Sequence, residues 1–509
     1  MADSAIRPDV SPAAAFGIAV IPFIVLSLAH WHLGPLLIAS DYAQYLLHAR
    51  AIVEGRSYGD IGYLYSPLTP FVGPPLQPPG LPLTLAPLVW AFGMNDSVFR
   101  VAMVLTGVLF LALATMALAR SEGWLRAGCA AALAGIAVER AFATNVPMSD
   151  LGFSALFWAV VVVADRPGRW SVWRGLAVSA LIAGALAYRT AGAPLLPAIL
   201  VYGIFRRRTL GRVPLAVAGA FALIGIVVLL TTPIGDAAVR FAVDARGVSF
   251  IVLGMRFAVE TYSVASFQPL LYPFSNGTAN LIYHGITAPL ALYGLWRWAR
   301  ANHTTFLFAV AVAYAVFLLI APAFQARYLW PLFPLIAAGF VHGLTHVARM
   351  TSKAAPAMGE GRAILAVGAL AAAALVTTVR APDPATVNDA PEVLDLYAWL
   401  TRANADSAAR VAVVNPRVLT LRLGIPAMSV PQWGSEKDVY AEFVRHRITF
   451  VVEGDPGYAD REMKLLQATL RAFPQAFTPV YRNARYTVYR FIPVTAGDAT
   501  ASGAGLVHS

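Results

Sequence analysis

Two aspartates and a few arginines, set at the ends of apolar runs, are the residues here whose type and spacing suit chemistry. Asp41 follows the first apolar stretch and opens S-D-Y-A-Q-Y-L-L-H-A-R-A-I-V, while Asp150 opens a second run, L-G-F-S-A-L-F-W-A-V-V-V-V. A carboxylate at the edge of a bilayer is costly to keep there, so it marks a candidate functional loop. Arg327 stands at the mouth of a late apolar run, followed by Tyr328. Guanidinium binds phosphate bidentately and stays protonated, which suits recognition of an anion. Plainer roles are open to each: the two acids can cap the helices they begin, and Arg327 can snorkel to the interface. His48 could ligate a metal, although a lone histidine on an interfacial helix makes a weak ligand set.

Membrane helices must position these groups. Hydrophobic residues make up 58% of the 509-residue chain and charged residues only 13%, against about 25% in soluble domains. This composition is that of a polytopic membrane protein. The net charge of +11 could suggest nucleic acid, but most basic residues sit in short loops between apolar runs, a pattern that sets topology. Cys129 stands alone in an apolar run, which excludes a disulfide framework or a cysteine-based metal site.

Hydropathy gives about eleven candidate spans, near 13–33, 98–118, 127–142, 150–164, 173–189, 191–205, 213–232, 280–296, 304–320, 331–347 and 363–380. The first is expected to stay in the chain as an anchor. Segment 81–93 is shorter, carries Pro82 and Pro87, and reads as an interfacial or re-entrant piece. Arginines 120, 126, 166, 169, 174, 206–208, 212, 297, 300 and 349 alternate with the spans as cytoplasmic loops should. That orientation places the N-terminus in the cytoplasm. The loops 34–80, 143–150, 233–279 and 322–330, and everything after 381, then share the outer face.

The helix after Asp41 is amphipathic and is expected to lie on the outer interface, with Tyr42 and Tyr45 at headgroup depth and Arg50 and Arg56 near lipid phosphates. Beyond it Tyr65, Gln77, Pro78 and Pro79 belong to a stiff aromatic and proline-rich connection that holds an extended shape. Glu139 and Arg140 read as a structural pair or as snorkelling residues. Loop 233–279 carries Asp236, Arg240, Arg246, Arg256 and Glu260, a candidate cover for an acceptor site.

After Arg380 the pattern changes to a Pro/Asp/Asn linker and then to a mixed α/β domain over 381–495. The spacing predicts a helix over 394–404, strands over 409–415 and 447–454, a helix over 462–472 and a strand over 486–491. The Ala/Gly/Ser/Thr tail 496–509 is expected to be disordered.

Five stretches carry a family resemblance in order: D-Y-x-x-Y-x-x-x-A-R-x-x-x-x-G from Asp41, Q-P-P-G-L-P-L-T-L-A-P from Gln77, Ser149-Asp150, Arg327-Tyr328-Leu329-Trp330-Pro331, and L-Y-A-W-L-T-R-A-N with V-A-V-V-N-P-R-V-L-T-L-R-L-G near the C-terminus. This pattern resembles the GT-C fold glycosyltransferases, in particular the bacterial ArnT-like and protein-O-mannosyltransferase-like enzymes that use polyprenyl-phosphate sugars. The resemblance implies a transmembrane domain over 1–380 of about eleven helices, a catalytic first outer loop at 34–80 and a periplasmic α/β domain over 381–495. It implies a multi-pass protein of the bacterial inner membrane that moves a sugar, with inversion, from a polyprenyl-phosphate carrier to an envelope lipid, lipopolysaccharide, other glycan or protein.

In that reading Asp41 is the base that takes the proton of the acceptor hydroxyl. Asp150 assists the acceptor, joins Asp41 in binding a divalent cation, or caps its helix. The divalent cation is the one cofactor the acids suggest, and nucleic acid is not a partner. Arg327 and Tyr328 face the donor phosphate. The chain departs from the ArnT-like branch at Tyr42, where an acid often stands, at Gln44, where a basic residue does, and at Gln77, where a lysine would hold donor phosphate. Arg50, Arg56, Arg189, Arg246, Arg256 or Arg327 would have to supply that charge. Two other classes stay open: a lipid-linked-sugar flippase, which would carry polar residues near midspan on several helices, and a non-catalytic envelope scaffold.

Overall fold

The computed structural model describes residues 10–31, 40–69, 73–74, 77–141, 143–210, 219, 268–270, 277–320, 325–352, 355–379, 390–405, 408–454 and 460–493. Arg246, Arg256, nearly all of the expected span 213–232 and of the loop 233–279, the linker after 380 and the tail from Ala496 lie outside these residues. In chain order the described elements begin with α1 (Pro12–Trp31), α2 (Ser40–Val53), β1 (Tyr63–Leu64), α3 (Gly80–Phe92), α4 (Asp96–Glu122), α5 (Trp124–Arg140), α6 (Ser149–Ala164), α7 (Val172–Tyr188) and α8 (Leu195–Leu210). They continue with α9 (Gly277–Asn302), α10 (Phe306–Ile320), α11 (Phe333–Thr351), α12 (Pro356–Val379), α13 (Pro391–Ala405), β2 (Val411–Val413), α14 (Pro416–Leu423) and β3 (Ala427–Ser429). Last come α15 (Glu436–Arg445), β4 (Phe450–Glu453), α16 (Asp460–Ala472), β5 (Phe477–Arg482) and β6 (Thr487–Phe491). The chain divides into two compact units, one of residues 1–36, 78–84 and 92–383, the other of residues 37–77, 85–91 and 384–509.

The larger unit is a helical bundle. Among the described residues, α1, α4, the run Ala326–Thr351 and α12 are long and apolar enough to cross a membrane, and α3, α6, α7 and α10 are shorter apolar helices. Segment 81–93, expected as a short interfacial or re-entrant piece, is the helix α3 with Pro87 inside it. Helix α5 is built largely of Ala and Gly and is buried along almost its whole length. Small side chains let neighbouring helices approach closely, the usual solution where hydrophobicity alone does not separate one apolar surface from another. Several buried charges among the described residues of the bundle are paired. Arg126 and Arg349 both donate to Glu360, through Nε at 2.9 and 2.7 Å. Glu139 does not pair with Arg140 as its neighbour in sequence suggests: it faces Nδ1 of His30 at 3.1 Å and accepts from the Thr144 hydroxyl at 2.7 Å.

The smaller unit is a sandwich of helices about one sheet, with strand order β1-β3-β2-β4-β6-β5. The first four strands are parallel, and β4-β6 and β6-β5 are antiparallel. Alternate residues of β2 and β4 point to opposite faces, as the two-residue period of a strand requires. Val411, Phe450 and Val452 join Leu396, Leu400 and Leu419 of α13 and α14, whereas Ala412 and Val451 join Val439, Phe443 and Leu466 of α15 and α16. Burial on both faces is characteristic of parallel strands.

The predicted helices 394–404 and 462–472 are α13 and α16, and the three predicted strands are β2, β4 and β6, each trimmed by one to four residues at its ends. Strands β1, β3 and β5 and helices α14 and α15 have no counterpart among the predicted elements. Strand β1 comes from the first outer loop: Tyr63 and Leu64 pair with Ala427 and Met428. The approach depends on Gly62, at φ +77°, where a Cβ would lie 2.8 Å from the Thr420 methyl. Helix α2 is bound into the same unit through a cluster of Leu47, Ala51, Ile61 and Tyr63 against Leu421. Tyr42 and Tyr45, expected at headgroup depth, are instead buried; their rings serve packing, not the interface.

Candidate active site

Two charged clusters gather the candidate residues, one in each unit. In the smaller unit Asp41 sits in the first turn of α2, where a carboxylate is favoured by the helix dipole. Its Oδ1 accepts a hydrogen bond from Nη1 of Arg417 at 3.0 Å. The same Nη1 donates to Oε1 of Gln44 at 2.8 Å, and Gln44 Nε2 donates to the Gly73 carbonyl at 3.1 Å. Gln44 therefore ties the aspartate–arginine pair to the proline-rich loop. A basic side chain at position 44 would face the Arg417 guanidinium; the amide accepts from it instead.

Exposure separates the two partners. The Arg417 side chain is 9% exposed and that of Asp41 34%, so the arginine is a buried support and the carboxylate is accessible. Arg417 lies in the first turn of α14 behind Pro416. A cation there opposes the helix dipole unless an acid compensates it. This was the signal by which N-P-R could have been paired with an acid, and Arg417 was not among the candidates read from the sequence.

Among the described residues His48 does not belong to a metal-ligating cluster. Its Nδ1 donates to the Tyr58 carbonyl at 2.8 Å, its ring stacks on Tyr58 at 4.1 Å, and burial lowers its pKa to about 4 against the opposing pull of carbonyl hydrogen bonds. Burial also pushes the Tyr63 phenol up to about 12, with the Arg417 charge acting the other way.

The loop residues are placed as supports. The Tyr58 hydroxyl donates to the Gln77 carbonyl at 2.9 Å, so Gln77 contributes backbone. The Tyr65 ring lies against Gly73. Pro78 and Pro79 precede α3, and the Pro79 carbonyl accepts from the Leu83 N–H at 2.9 Å. Arg50, at the other end of α2 from Asp41, has Nε 3.9 Å from Glu54, and Arg56 pairs with Glu54 at 2.6 Å.

The larger unit brings together Asp150, Arg189, Arg327 and Tyr328. Asp150 does not cap its helix: the N-cap of α6 is Met148, and Asp150 in the first turn points its Oδ2 at Arg189 Nη1, 2.8 Å away. Arg189 Nη1 also donates to the Ser149 hydroxyl at 3.0 Å. Arg327 Nε lies 3.9 Å from the same Oδ2. Both guanidinium groups flank the Tyr328 ring, at 4.7 and 5.9 Å from its centre.

Local structure explains the convergence. Arg189 is the extended residue that ends α7, and Gly152 lets the Tyr188 ring close onto α6 where a Cβ would overlap it. The 3₁₀ turn Ala326–Leu332 that carries Arg327 and Tyr328 is pinned by Tyr314, which donates to the Tyr328 carbonyl at 2.7 Å, and by Trp158, which donates to the Pro331 carbonyl at 2.9 Å.

One buried carboxylate, 2% exposed, thus holds two guanidinium groups that are 14% and 20% exposed. Two guanidinium groups side by side at its accessible edge have the chemistry of an anion site. Among the described residues no group of three or more His, Cys, Asp or Glu side chains could hold a metal ion. The two acids proposed as cation ligands, Asp41 and Asp150, each face an arginine.

No protein-family model matches the chain, and no curated protein is similar to it. Solved structures are. The chain superposes on ArnT from Cupriavidus metallidurans bound to undecaprenyl phosphate with a TM-score of 0.57 at 15% identity, covering 94% of this chain and 98% of that one. The same protein in the apo state gives 0.56 at 16% identity over the same shares. The chain therefore has the fold of ArnT, a GT-C fold, from near its beginning to near its end.

Proposed function

We propose that the chain is a membrane glycosyltransferase that transfers a sugar from a polyprenyl-phosphate carrier to a hydroxyl of a cell-envelope acceptor, with inversion, on the periplasmic side of a bacterial inner membrane. The observation that carries this reading is the accessible carboxylate of Asp41, held by the buried Arg417 within the smaller unit.

Asp41 accepts the proton of the acceptor hydroxyl as its oxygen attacks the anomeric carbon. The anomeric bond to phosphate breaks on the opposite face, and the carrier leaves as a phosphate monoester with one more negative charge than the diester it came from. Arg189 and Arg327, beside Tyr328, are the proposed ligands of a lipid phosphate in the larger unit, and stabilisation that grows as charge develops on such a group is where binding accelerates a reaction. Asp150 and Arg417 are positioning residues: one sets the two arginines, the other sets Asp41. Among the described residues, each cluster offers a divalent cation one carboxylate.

Purified full-length protein incubated with radiolabelled polyprenyl-phosphate sugars and an envelope lipid fraction, with and without chelator, tests the reading. Asp41→Asn should express and fold normally but lose transfer; near wild-type turnover by that variant would remove Asp41 from the mechanism. Movement of intact lipid-linked sugar without transfer, unaffected by Asp41→Asn, would make the protein a flippase instead.

A further inference from the structure

Helix α6 has an acid at each end, and the mechanism uses only one. Asp165 follows its last turn and borders a cavity of about 410 Å³ lined also by Arg120, Arg166, Arg169, Trp170 and Trp298. The helix has 16 residues, so at about 1.5 Å per residue its two ends lie roughly 24 Å apart. The cavity is therefore distinct from the Asp150 cluster.

Among the described residues its lining carries three arginines and one acid. Both carboxylate oxygens of Asp165 accept backbone N–H groups at the start of α10, from Phe306 at 2.7 Å and Leu307 at 2.9 Å. Its negative charge is favoured at that helix end and also acts on Arg120. Arg120 donates to the Val162 carbonyl at 3.0 Å, and among the described residues no carboxylate forms an ion pair with Arg166 or Arg169. The wall is also built rigidly. Arg174 donates to the carbonyls of Val163 and Ala164, each at 2.9 Å, and of Arg166 and Gly168, so one guanidinium laces the whole turn. Trp298 is held by its bond to Ser121 at 3.3 Å.

The depth of the cavity is marked by aromatics. Trp173, at the start of α7, is 80% exposed, and Trp296, near the end of α9, is 49% exposed beneath the Arg300 guanidinium at 4.2 Å. Exposed tryptophans near the ends of membrane helices sit at headgroup level. We infer that this cavity binds the phosphate of an anionic phospholipid headgroup, with Arg120, Arg166 and Arg169 as the charge and the buried faces of Trp170 and Trp298 as the apolar wall. Basic pockets between membrane helices on the cytoplasmic side take such headgroups, and the arginine-rich loops place this end of the bundle there. A free phosphate ion offers the same chemistry without the acyl chains.

Native mass spectrometry of the full-length protein in detergent distinguishes the sources. Phosphatidylglycerol, phosphatidylcholine and inorganic phosphate are titrated separately against the wild type, Arg166→Gln/Arg169→Gln and Arg166→Lys/Arg169→Lys. Wild-type protein should bind phosphatidylglycerol in preference to phosphatidylcholine. The Gln pair should weaken the former about five-fold per arginine removed and leave the latter unchanged, and the Lys pair should restore most of it. Both arginines are exposed, so the variants should fold. Equal phosphatidylglycerol binding by the wild type and the Gln pair would overturn the site. Arginine-dependent binding of inorganic phosphate without phosphatidylglycerol binding would overturn its assignment to lipid.

Discussion

Asp41 and Arg417 stand 376 positions apart in sequence and 3.0 Å apart in space. The acid lies in the first turn of α2 and the base in the first turn of α14, so the contact joins a loop near the N-terminus to the C-terminal sheet unit. Arg417→Ala should leave Asp41 and Gln44 without their shared donor. With Asp41 proposed as the base, loss of its orientation costs about 100-fold in rate, so turnover should fall by that order while Arg50→Ala stays near wild type. Arg417→Lys, which keeps the charge but not the fork geometry, should recover only part. Transfer assays on the three variants at matched expression check this.

The phosphate role proposed for Arg189 and Arg327 predicts a donor effect. Hydrogen bonds to charged groups contribute about 1.5–3 kcal/mol, so Arg189→Gln and Arg327→Gln should each lower kcat/KM for the lipid-linked sugar by about 10- to 100-fold. The KM for the acceptor should change little. Steady-state kinetics with each substrate varied in turn separates the two.

Asp150 should behave differently from Asp41, because it is buried between cations and not open to a substrate. Removing one partner from a buried ion pair costs about 3 kcal/mol or more. Asp150→Ala should therefore lower thermal stability as well as activity, where Asp41→Asn lowers activity alone. Melting curves of the two variants in the same detergent decide it.

Gly152 predicts a steric effect on the same cluster. A Cβ there would enter the Tyr188 ring, and Arg189 is the next residue along the chain. Overpacking of this kind costs about 1–3 kcal/mol, so Gly152→Val should raise the donor KM and lower the melting temperature. Tyr188→Leu added to it should relieve part of both.

His48 gives the smaller unit a pH dependence. Its pKa is lowered from 6.5 to about 4 in the folded chain by burial. Above pH 6.5 neither state carries the proton. As pH falls from 6.5 to 4 the unfolded chain takes up a proton that the folded one does not, so stability declines across that window by about 3 kcal/mol and levels off below it. His48→Gln should flatten this part of the profile, read by hydrogen exchange of β2 and β4 between pH 4.5 and 7.5.

The sequence by itself determined the class of the molecule. Long apolar runs between arginine-rich loops demand membrane helices, alternating and continuous apolar stretches after residue 390 demand strands, and five short motifs in order pointed to the fold that the superposition on ArnT bears out. Asp41, Asp150 and Arg327 were legible because a charge at the end of an apolar run is costly and therefore informative. Arg189 was legible only as one of several arginines that could supply charge.

What the tertiary structure decided are the pairings. Which acid meets which base depends on contacts between segments far apart in the chain, and residue type and local spacing carry no distance information across 376 positions. For the same reason β1, two residues long, has no periodicity to read: it is a strand because Ala427 and Met428 lie beside it. Exposure was also beyond the sequence. Asp41 and Asp150 look alike as acids at helix starts, yet packing leaves the first accessible and buries the second among arginines. Local physics could nominate both carboxylates; only the folded chain distinguished the accessible one from the buried one.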